Sequence, residues 1–350
     1  MTRIYLDHAA TTPMLPAAVA AVTEGMARWA NPSSPHAEGR AARAALEEAR
    51  RAIAAAYGWD GELILTGGAS ESLGVAMTRA MVPGRVITAV EHDAVMRLSE
   101  DAWVLPVDSG GLVDLDALRL KQPSLVVVQW ANSETGVRQP IAEIAARVHS
   151  AGSLLLVDAA QMPAGADDAI LEADFVAVSA HKRGGPPGIG ALLVRDFATL
   201  SPTGGQERGY RPGTENLPGA LGYAAALAEP EPDYAELRAM LNSAIIAAGG
   251  EMIAAASPRH PAIGAYRMRG IASAAQLIQF DSAGFAVSAG SACASGSLKP
   301  SHVLIAMGLD RDAVGEVVRV SFGRTTSAVE VQAFAAAWRA FARARNRILV

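Results

Sequence analysis

The stretch LLLVDAAQMPAGADDAILEADFVAVSAHK, residues 154–182, contains two short apolar runs that are each followed directly by polar residues. Leu154–Val157 and Phe175–Val178 are nearly continuous in aliphatic and aromatic residues, which is typical of strands buried on both faces of a sheet. The first run ends in Asp158, and the second is followed by Ser-Ala-His and then Lys182. An α/β sheet presents ligand groups at the carboxyl ends of its strands. The stretch therefore predicts two strands with polar ligand groups at their ends.

Similar apolar runs alternate with segments of helical period through the first two-thirds of the chain. The further predicted strands are Glu62–Leu65, Arg85–Ala89, Val104–Val107, Leu125–Gln129 and Gly190–Val194. The predicted helices between the strands are Ser70–Met81, Asp93–Asp101, Asp114–Leu120 and Ile141–Ala151. Because this alternation implies parallel pairing with crossover helices, we predict an α/β fold with a mostly parallel, seven-stranded sheet between helices.

The segment Pro230-Glu231-Pro232 breaks the helical pattern and marks the predicted domain boundary. After it, a long helix over Asp233–Ala248, some short strands and a terminal helix over Ala328–Asn346 predict a smaller α+β domain. The predicted division is a large domain of residues 14–230 and a small domain of residues 1–13 and 231–350.

The composition excludes several classes of protein. The 350 residues are 51% hydrophobic and carry 30 basic against 35 acidic side chains, so the chain has an ample core and lacks the positive field of a non-specific nucleic-acid binder. No uncharged apolar stretch approaches the roughly 20 residues of a membrane span. Asp7 and His8 come before any apolar run of the kind that a secretory signal needs. A single Cys cannot form an internal disulfide, so a reducing, cytoplasmic location is expected.

Lys182 and Asp158 together suggest a cofactor. A partly buried lysine at a strand end can form a Schiff base with an aldehyde, although an isolated lysine at a Gly/Pro turn is more often a surface residue. Asp158 alone would more often be a helix cap. Pyridoxal phosphate (PLP) needs both parts: a lysine for its aldehyde, and a carboxylate that keeps its pyridine nitrogen protonated. Gln161 follows three residues after Asp158.

A phosphate cradle is predicted in LTGGASES, residues 65–72, where small residues between a strand and a helix allow backbone N–H groups to approach an anion. The alternative is that Ser70 or Ser72 merely caps the helix. His92 follows another predicted strand and could stack on a cofactor or relay protons, or it could be structural. Arg319 lies in an apolar setting and could grip a carboxylate or form a structural ion pair.

Cys293 is the chain's only thiol, and it lies among small polar residues in VSAGSACASG, residues 287–296. Such neighbours predict an exposed loop, and exposure is what a reactive thiolate needs. An incidental free cysteine is the alternative. No metal site is predicted.

These segments together resemble the cysteine desulfurases of the NifS/IscS type, in the class V aminotransferase group of fold type I PLP enzymes. The matching motifs span nearly the whole chain: YLDHAATTP (5–13), NPSS (31–34), EHDAV (91–95), QPI (139–141), SAHK (179–182), GYRPGT (209–214) and GRTT (323–326). An ordered series of this kind is far more specific than any one of its members.

The resemblance implies how PLP would be bound. Lys182 would hold the cofactor and move the Cα proton, Asp158 would pair with the pyridine nitrogen, and Gln161 would reach the ring hydroxyl. His92 would stack on the ring and take part in proton transfer at the substrate thiol. The implied phosphate ligands are Ala69, Ser70, Ser179 and His181, with Thr214 from the other subunit of a homodimer.

The resemblance also implies the reaction. Arg319, with Asn31 nearby, would bind the carboxylate of L-cysteine, and Cys293 would take the sulfur as a persulfide and release alanine. The sulfur would then pass to a protein acceptor or an iron–sulfur scaffold. Two alternatives remain: a related PLP lyase or aminotransferase, such as a selenocysteine lyase, and a non-catalytic PLP-binding assembly partner.

One departure from the family pattern concerns the ring hydroxyl. The family usually has two asparagines where this chain has Asn132 and Ser133. The second asparagine normally contacts the hydroxyl, and a serine reaches equally far only if a water bridges the gap. The sequence leaves open which of the two residues makes the contact.

Overall fold

The computed structural model describes residues 3–290 and 300–348, with side chains as far as residue 343. The strands in these ranges are β1 (Ile4–Tyr5), β2 (Glu62–Thr66), β3 (Gly84–Thr88), β4 (Trp103–Leu105), β5 (Ser124–Gln129), β6 (Leu154–Asp158), β7 (Phe175–Ser179), β8 (Gly190–Val194), β9 (Glu251–Met252), β10 (Ile263–Arg267), β11 (Phe285–Ala286) and β12 (Val317–Ser321). The helices are α1 (Pro16–Ala27), α2 (Ala37–Ala56), α3 (Ala69–Arg79), α4 (Asp93–Met96), α5 (Ile141–Ser150), α6 (Leu217–Ala228), α7 (Ala235–Ala247), α8 (Ser273–Ser282), α9 (His302–Ala306), α10 (Arg311–Val314) and α11 (Ala328–Ile348). Within the described ranges, no helix is long and apolar enough to cross a membrane.

Seven strands form the central sheet, in the order β2-β8-β7-β6-β5-β3-β4. All neighbours are parallel except β8, which runs antiparallel to both β2 and β7. Each of the seven strands predicted from apolar runs is present, and the predicted mostly parallel sheet is confirmed. The strands β5, β7 and β8 are buried at every residue, which is why their sequences show no alternation of polar and apolar positions.

Helices cover both faces of this sheet. On one face α2, α5 and α6 pack against side chains such as Val126 and Val128, and on the other α3 and α4 pack against Leu125 and Val127. Successive strand residues thus pack alternately into two separate hydrophobic cores, as expected where side chains alternate across a sheet. The helices that follow β2 and β3 begin beside the carboxyl ends of those strands, where the site described below lies.

The predicted helix over Asp114–Leu120 is wrong, and the one predicted over Asp93–Asp101 is only the single turn of α4. The carboxylate of Asp114 accepts hydrogen bonds from the backbone N–H groups of Asp116 and Ala117. Such local side-chain bonds compete with helical ones and favour a turn.

A second, three-stranded antiparallel sheet has the order β12-β10-β9, and β1 pairs in parallel with β11. Side chains of α7, α8 and α11 pack around these strands in a hydrophobic cluster that also contains Leu6 and Ala9. The predicted domain boundaries stay a prediction, since the cluster alone does not define where a domain ends.

Arg238 of α7 is buried in this cluster with 3% of its surface exposed. Its guanidinium lies 4.0 Å from the centre of the Phe322 ring. It donates hydrogen bonds of 2.6–3.1 Å to the carbonyls of Pro261, Ala262 and Val320 and to the hydroxyl of Tyr266. A single side chain therefore satisfies several buried acceptors at once.

We expect Arg238→Met to lower the free energy of unfolding by about 3 kcal/mol, because several buried acceptors would lose their donor at about 1 kcal/mol each. Arg28→Met is the matched control, since the Arg28 side chain is 75% exposed and forms an exposed ion pair with Glu24 on α1; its effect should stay within about 0.5 kcal/mol. Urea unfolding of both variants measures the difference, and equal stability would contradict the structural role of Arg238.

Candidate functional site

The carboxyl ends of β3, β5, β6 and β7 meet at one edge of the central sheet because these strands are parallel. A cavity of about 600 Å³ lies at this edge. Eight predicted cofactor residues line it together: Ala69, Ser70, His92, Asp158, Gln161, Ser179, His181 and Lys182. The structure thus brings together residues that are up to 113 positions apart in the sequence, from Ala69 to Lys182.

Lys182 follows β7 by three residues and is half-buried at the cavity wall. Its Nζ donates hydrogen bonds to the backbone carbonyls of Ala9 at 2.6 Å and Ala10 at 2.9 Å. The amide of Gln161 donates to the same Ala9 carbonyl at 2.9 Å. The amino-terminal segment thereby fixes both side chains, a role that the sequence analysis missed because backbone carbonyls leave no signal in a sequence.

Asp158 ends β6 and is 3% exposed. Burial raises the pKa of its carboxyl, while the electrostatic effects of His92 and Lys182 and hydrogen bonds from the Ala160 N–H and the Gln129 side chain oppose the rise. A cation placed against a buried carboxylate stabilises its charged form, and a protonated pyridine nitrogen is such a cation. Asp158 therefore fits the predicted role.

Gln129 was not singled out in the sequence, although it carries the same signal as Asp158. It is a polar residue at the end of a buried strand, 4% exposed, and it lines the cavity. Its side chain bonds Asp158 and accepts a hydrogen bond from the amide of Asn132 at 2.9 Å. Gln129 therefore orients the carboxyl that would hold the cofactor ring.

The turn between β2 and α3 fits a phosphate group. Gly68 has φ +144°, a conformation that residues with a side chain rarely adopt, and α3 begins at Ala69 directly after it. A Cβ added to Gly190 would lie 2.7 Å from the Cα of Gly68, so the close backbone approach requires glycine there. The first N–H groups of a helix have no intrahelical partner, and the first two residues of α3, Ala69 and Ser70, line the cavity.

Two further side chains line the cavity near this turn. The buried Ser179 ends β7, and His181 follows it. Burial, together with the positive charges of Lys182 and Arg183, lowers the pKa of His181 to about 4, so its ring is neutral at pH 7. One nitrogen of this ring lies 3.1 Å from the Thr11 hydroxyl. A neutral imidazole and a serine hydroxyl can each donate one hydrogen bond to an anion.

His92 caps α4, and its Nδ1 accepts a hydrogen bond from the N–H of Ala94 at 3.1 Å. Because Nδ1 accepts, the neutral ring carries its proton on Nε2. The preceding Glu91 is fully buried, and burial raises the pKa of its carboxyl to about 8. Its Oε1 accepts hydrogen bonds from the Thr88 hydroxyl at 2.5 Å and the Gln129 N–H at 2.8 Å, which ties the end of β3 to β5 and places His92 at the cavity.

A smaller cavity of about 110 Å³ adjoins the first and shares Lys182 and His92 with it. Arg319 of β12 lines this cavity and is 6% exposed. Its guanidinium donates to the carboxylate of Asp7 and to the Ser133 carbonyl, at 2.7 and 2.8 Å. These two bonds fix the orientation of Arg319, so that its plane is ready to bind a carboxylate beside Lys182.

Two predicted site residues that the structure describes line neither of these cavities. Asn31 is exposed, and its Oδ1 accepts a hydrogen bond from the N–H of Ser33 within the same turn. Thr214 is also exposed, and it lines neither cavity. Cys293 lies outside the described residues.

Asn132 and Ser133 differ in their surroundings. The amide of Asn132 is buried and used within the protein: it donates to Val90 and Gln129, and its oxygen accepts from the N–H groups of Glu134 and Thr135. Ser133 lines both cavities. Of the two, only Ser133 lines the larger cavity, in which the cofactor is predicted.

The family model for class V aminotransferases matches residues 4–334. An IscS-like cysteine desulfurase of Mycobacterium tuberculosis is 38% identical over 369 residues, which cover 94% of this chain and 93% of that protein. A cysteine desulfurase of Cereibacter sphaeroides is 37% identical, with coverage of 95% and 93%.

Among solved structures, a NifS-like protein from Rickettsia africae superposes with a TM-score of 0.85 at 27% sequence identity. The superposition covers 97% of this chain and 99% of that one. Similarity in sequence and in structure thus extends over nearly the whole chain and includes the edge of the sheet where Lys182 and Asp158 meet. The chain belongs to the class V aminotransferase family.

Proposed function

We propose that the protein is a PLP-dependent cysteine desulfurase that converts L-cysteine to L-alanine and leaves the sulfur as a persulfide on Cys293. The observation that carries this proposal is the joint position of Lys182, Asp158 and Arg319. The first two face the cavity that fits the cofactor, and Arg319 faces the adjoining cavity of amino-acid size. The two sequence relatives above, both named cysteine desulfurases, support the same reaction.

Bound PLP would supply an electron sink for the electrons released at the substrate α-carbon. Lys182 would hold the cofactor's aldehyde and carry the proton that leaves and returns to the substrate. Asp158 would keep the positive charge on the pyridine nitrogen, and Gln129 holds Asp158 in place. The turn at Gly68 and the start of α3 would hold the phosphate.

The substrate is oriented by Arg319, which binds its carboxylate in the smaller cavity. His92 lines both cavities and moves a proton at the substrate sulfur. The Cys293 thiolate then attacks that sulfur: a new S–S bond forms, the bond from sulfur to the β-carbon breaks, and its electron pair stays with the carbon. Protonation of the carbon fragment gives alanine.

We further propose a cytoplasmic homodimer that passes the sulfur to a protein acceptor, for iron–sulfur cluster assembly or another thiolated product. Thr214 supports the dimer, because it is exposed and lies away from the cavity of its own chain. In the dimer it would complete the phosphate site of the partner.

Lys182→Ala should abolish the formation of alanine from L-cysteine and the yellow colour of covalently held PLP, because no other described lysine lines the cavity. Lys121→Ala is the control, since Lys121 is exposed and lies elsewhere. Borohydride treatment of the wild type followed by mass spectrometry should locate the cofactor on the peptide that contains Lys182. A label on any other lysine would refute the assignment.

Cys293→Ala should stay folded and yellow and should still change colour with L-cysteine, yet form alanine at least about 100-fold more slowly, because the chain has no second thiol to receive the sulfur. Alkylation of cysteine-treated wild type and mass spectrometry should find the extra sulfur on Cys293. If the variant formed alanine and sulfide at the wild-type rate, the enzyme would be a direct-elimination lyase instead.

A further inference from the structure

Residues 203–214, here called the arm, form a Gly-rich loop that precedes α6 and ends at Thr214. The arm is held by a buried ion pair. The Glu207 carboxylate accepts two hydrogen bonds from Arg50 of α2, at 2.6 and 3.0 Å, and a third from the N–H of Leu65 in β2 at 2.8 Å. The side chain of Glu207 is 1% exposed and that of Arg50 is 8% exposed, so the pair is shielded from water and salt.

The backbone at this point has an uncommon conformation. Glu207 and Arg208 have φ values of 48° and 56°, in the left-handed region that residues other than glycine rarely occupy. Such residues persist only where the surroundings determine their conformation, and they concentrate at ligand clamps and functional loops. We attribute the conformation to the Arg50–Glu207 pair, since it joins this turn to two other elements.

A second anchor holds the arm from α3. Arg79, at the end of that helix, donates to the Tyr210 carbonyl at 2.8 Å and to the Thr203 hydroxyl at 3.1 Å. The Tyr210 ring stacks on Phe197 with centroids 4.1 Å apart. The arm is therefore held at Thr203 and at Tyr210 as well as at Glu207.

A third anchor joins Arg211 to Glu71 of α3 at 2.7 Å. Burial alone would raise the pKa of Glu71, but hydrogen bonds from Arg211 and the Gly67 N–H outweigh it and lower that pKa. Because Glu71 also lines the cofactor cavity of its own chain, a change at Arg211 would affect two sites at once. Glu207 and Arg79 line none of the cavities at the catalytic edge and are therefore the better probes.

These anchors end at Arg211, and Thr214 follows three residues later with an exposed side chain. We propose that Arg50, Glu207 and Arg79 are positioning residues for the cofactor site of a second copy of the chain, because they hold the arm in the shape in which Thr214 meets that site. This inference rests on the proposed function, in which Thr214 completes the partner's phosphate site. A pre-ordered arm avoids the entropy cost of ordering a loop when cofactor and subunits assemble.

Hybrid dimers of differently tagged subunits test the proposal, because they separate an effect on the partner's site from an effect on the same chain. The reference hybrid pairs wild type with Lys182→Ala, so that one site can hold PLP covalently. In the trans hybrid, Glu207→Gln is added to the Lys182→Ala chain, and the intact site faces the altered arm. In the cis hybrid, Glu207→Gln is placed on the chain with Lys182 and the altered arm faces the inactive site.

Titration of the cofactor-free hybrids with PLP, followed by the visible absorbance of the covalent form, gives the dissociation constant of the intact site. The trans hybrid should bind PLP about 10-fold more weakly than the reference, whereas the cis hybrid should stay within about twofold. The proposal would be overturned if all three hybrids had equal dissociation constants, if the trans and cis hybrids were weakened equally, or if only the cis hybrid were weakened. A monomeric wild type would overturn it as well.

Arg79→Met in the same two hybrids should give the same asymmetry, and it decides the question if Glu207→Gln does not fold, because Arg79 is only half-buried. Arg51→Met is the control, since Arg51 neighbours Arg50 on α2 but forms an exposed pair with Glu48. Alanine formation from L-cysteine is measured separately in the wild type. If the wild type formed no alanine but the trans hybrid still bound PLP more weakly than the cis hybrid, the result would count against the proposed reaction and not against the role of the arm.

Discussion

The site depends on the parallel pairing of β6 with β7, in which Asp158 lies opposite Ala177. This register places the end of β6 two residues before the end of β7, so that Asp158 and Lys182 reach the same cavity. A one-residue shift of either strand would turn its side chains to the other face, where they would not fit the close-packed core on that side. The hydrophobic packing of two strands thus sets the distance between the two groups that PLP requires.

The amino-terminal segment joins the two sheets at this edge. Leu6 and Ala9 pack in the cluster around the smaller sheet, while the carbonyls of Ala9 and Ala10 hold Lys182 at the end of β7. Asp7, which lies between Leu6 and Ala9 in this segment, pairs with Arg319. The same few residues therefore orient both Lys182, the proposed cofactor lysine, and Arg319, the proposed substrate-binding residue, and keep the two in a fixed relation.

Local patterns were sufficient to predict the seven strands of the central sheet and most of the polar residues at their ends, although Gln129 was missed, because burial on both faces produces continuous apolar runs and ligand groups follow them directly. Long-range contacts could not be predicted in this way. Arg50 pairs with Glu207, which lies 157 residues away, as well as with the nearby Glu47, and no local pattern indicates that Glu207 and Arg208 adopt left-handed conformations. The error at Asp114–Leu120 has a similar origin, because an apolar period does not show that an aspartate will bond its own backbone.

The ion pair between Asp7 and Arg319 bears on which amino acids the smaller cavity can accept. Asp7 already neutralises the guanidinium, so the cavity offers a bound carboxylate directed hydrogen bonds and little excess positive charge. A monoacid such as cysteine fits this arrangement. A dicarboxylic amino acid would bring a second anion into a space of about 110 Å³ that two acidic residues, Asp93 and Glu134, also line. We therefore expect this pocket to bind aspartate and glutamate more weakly than cysteine.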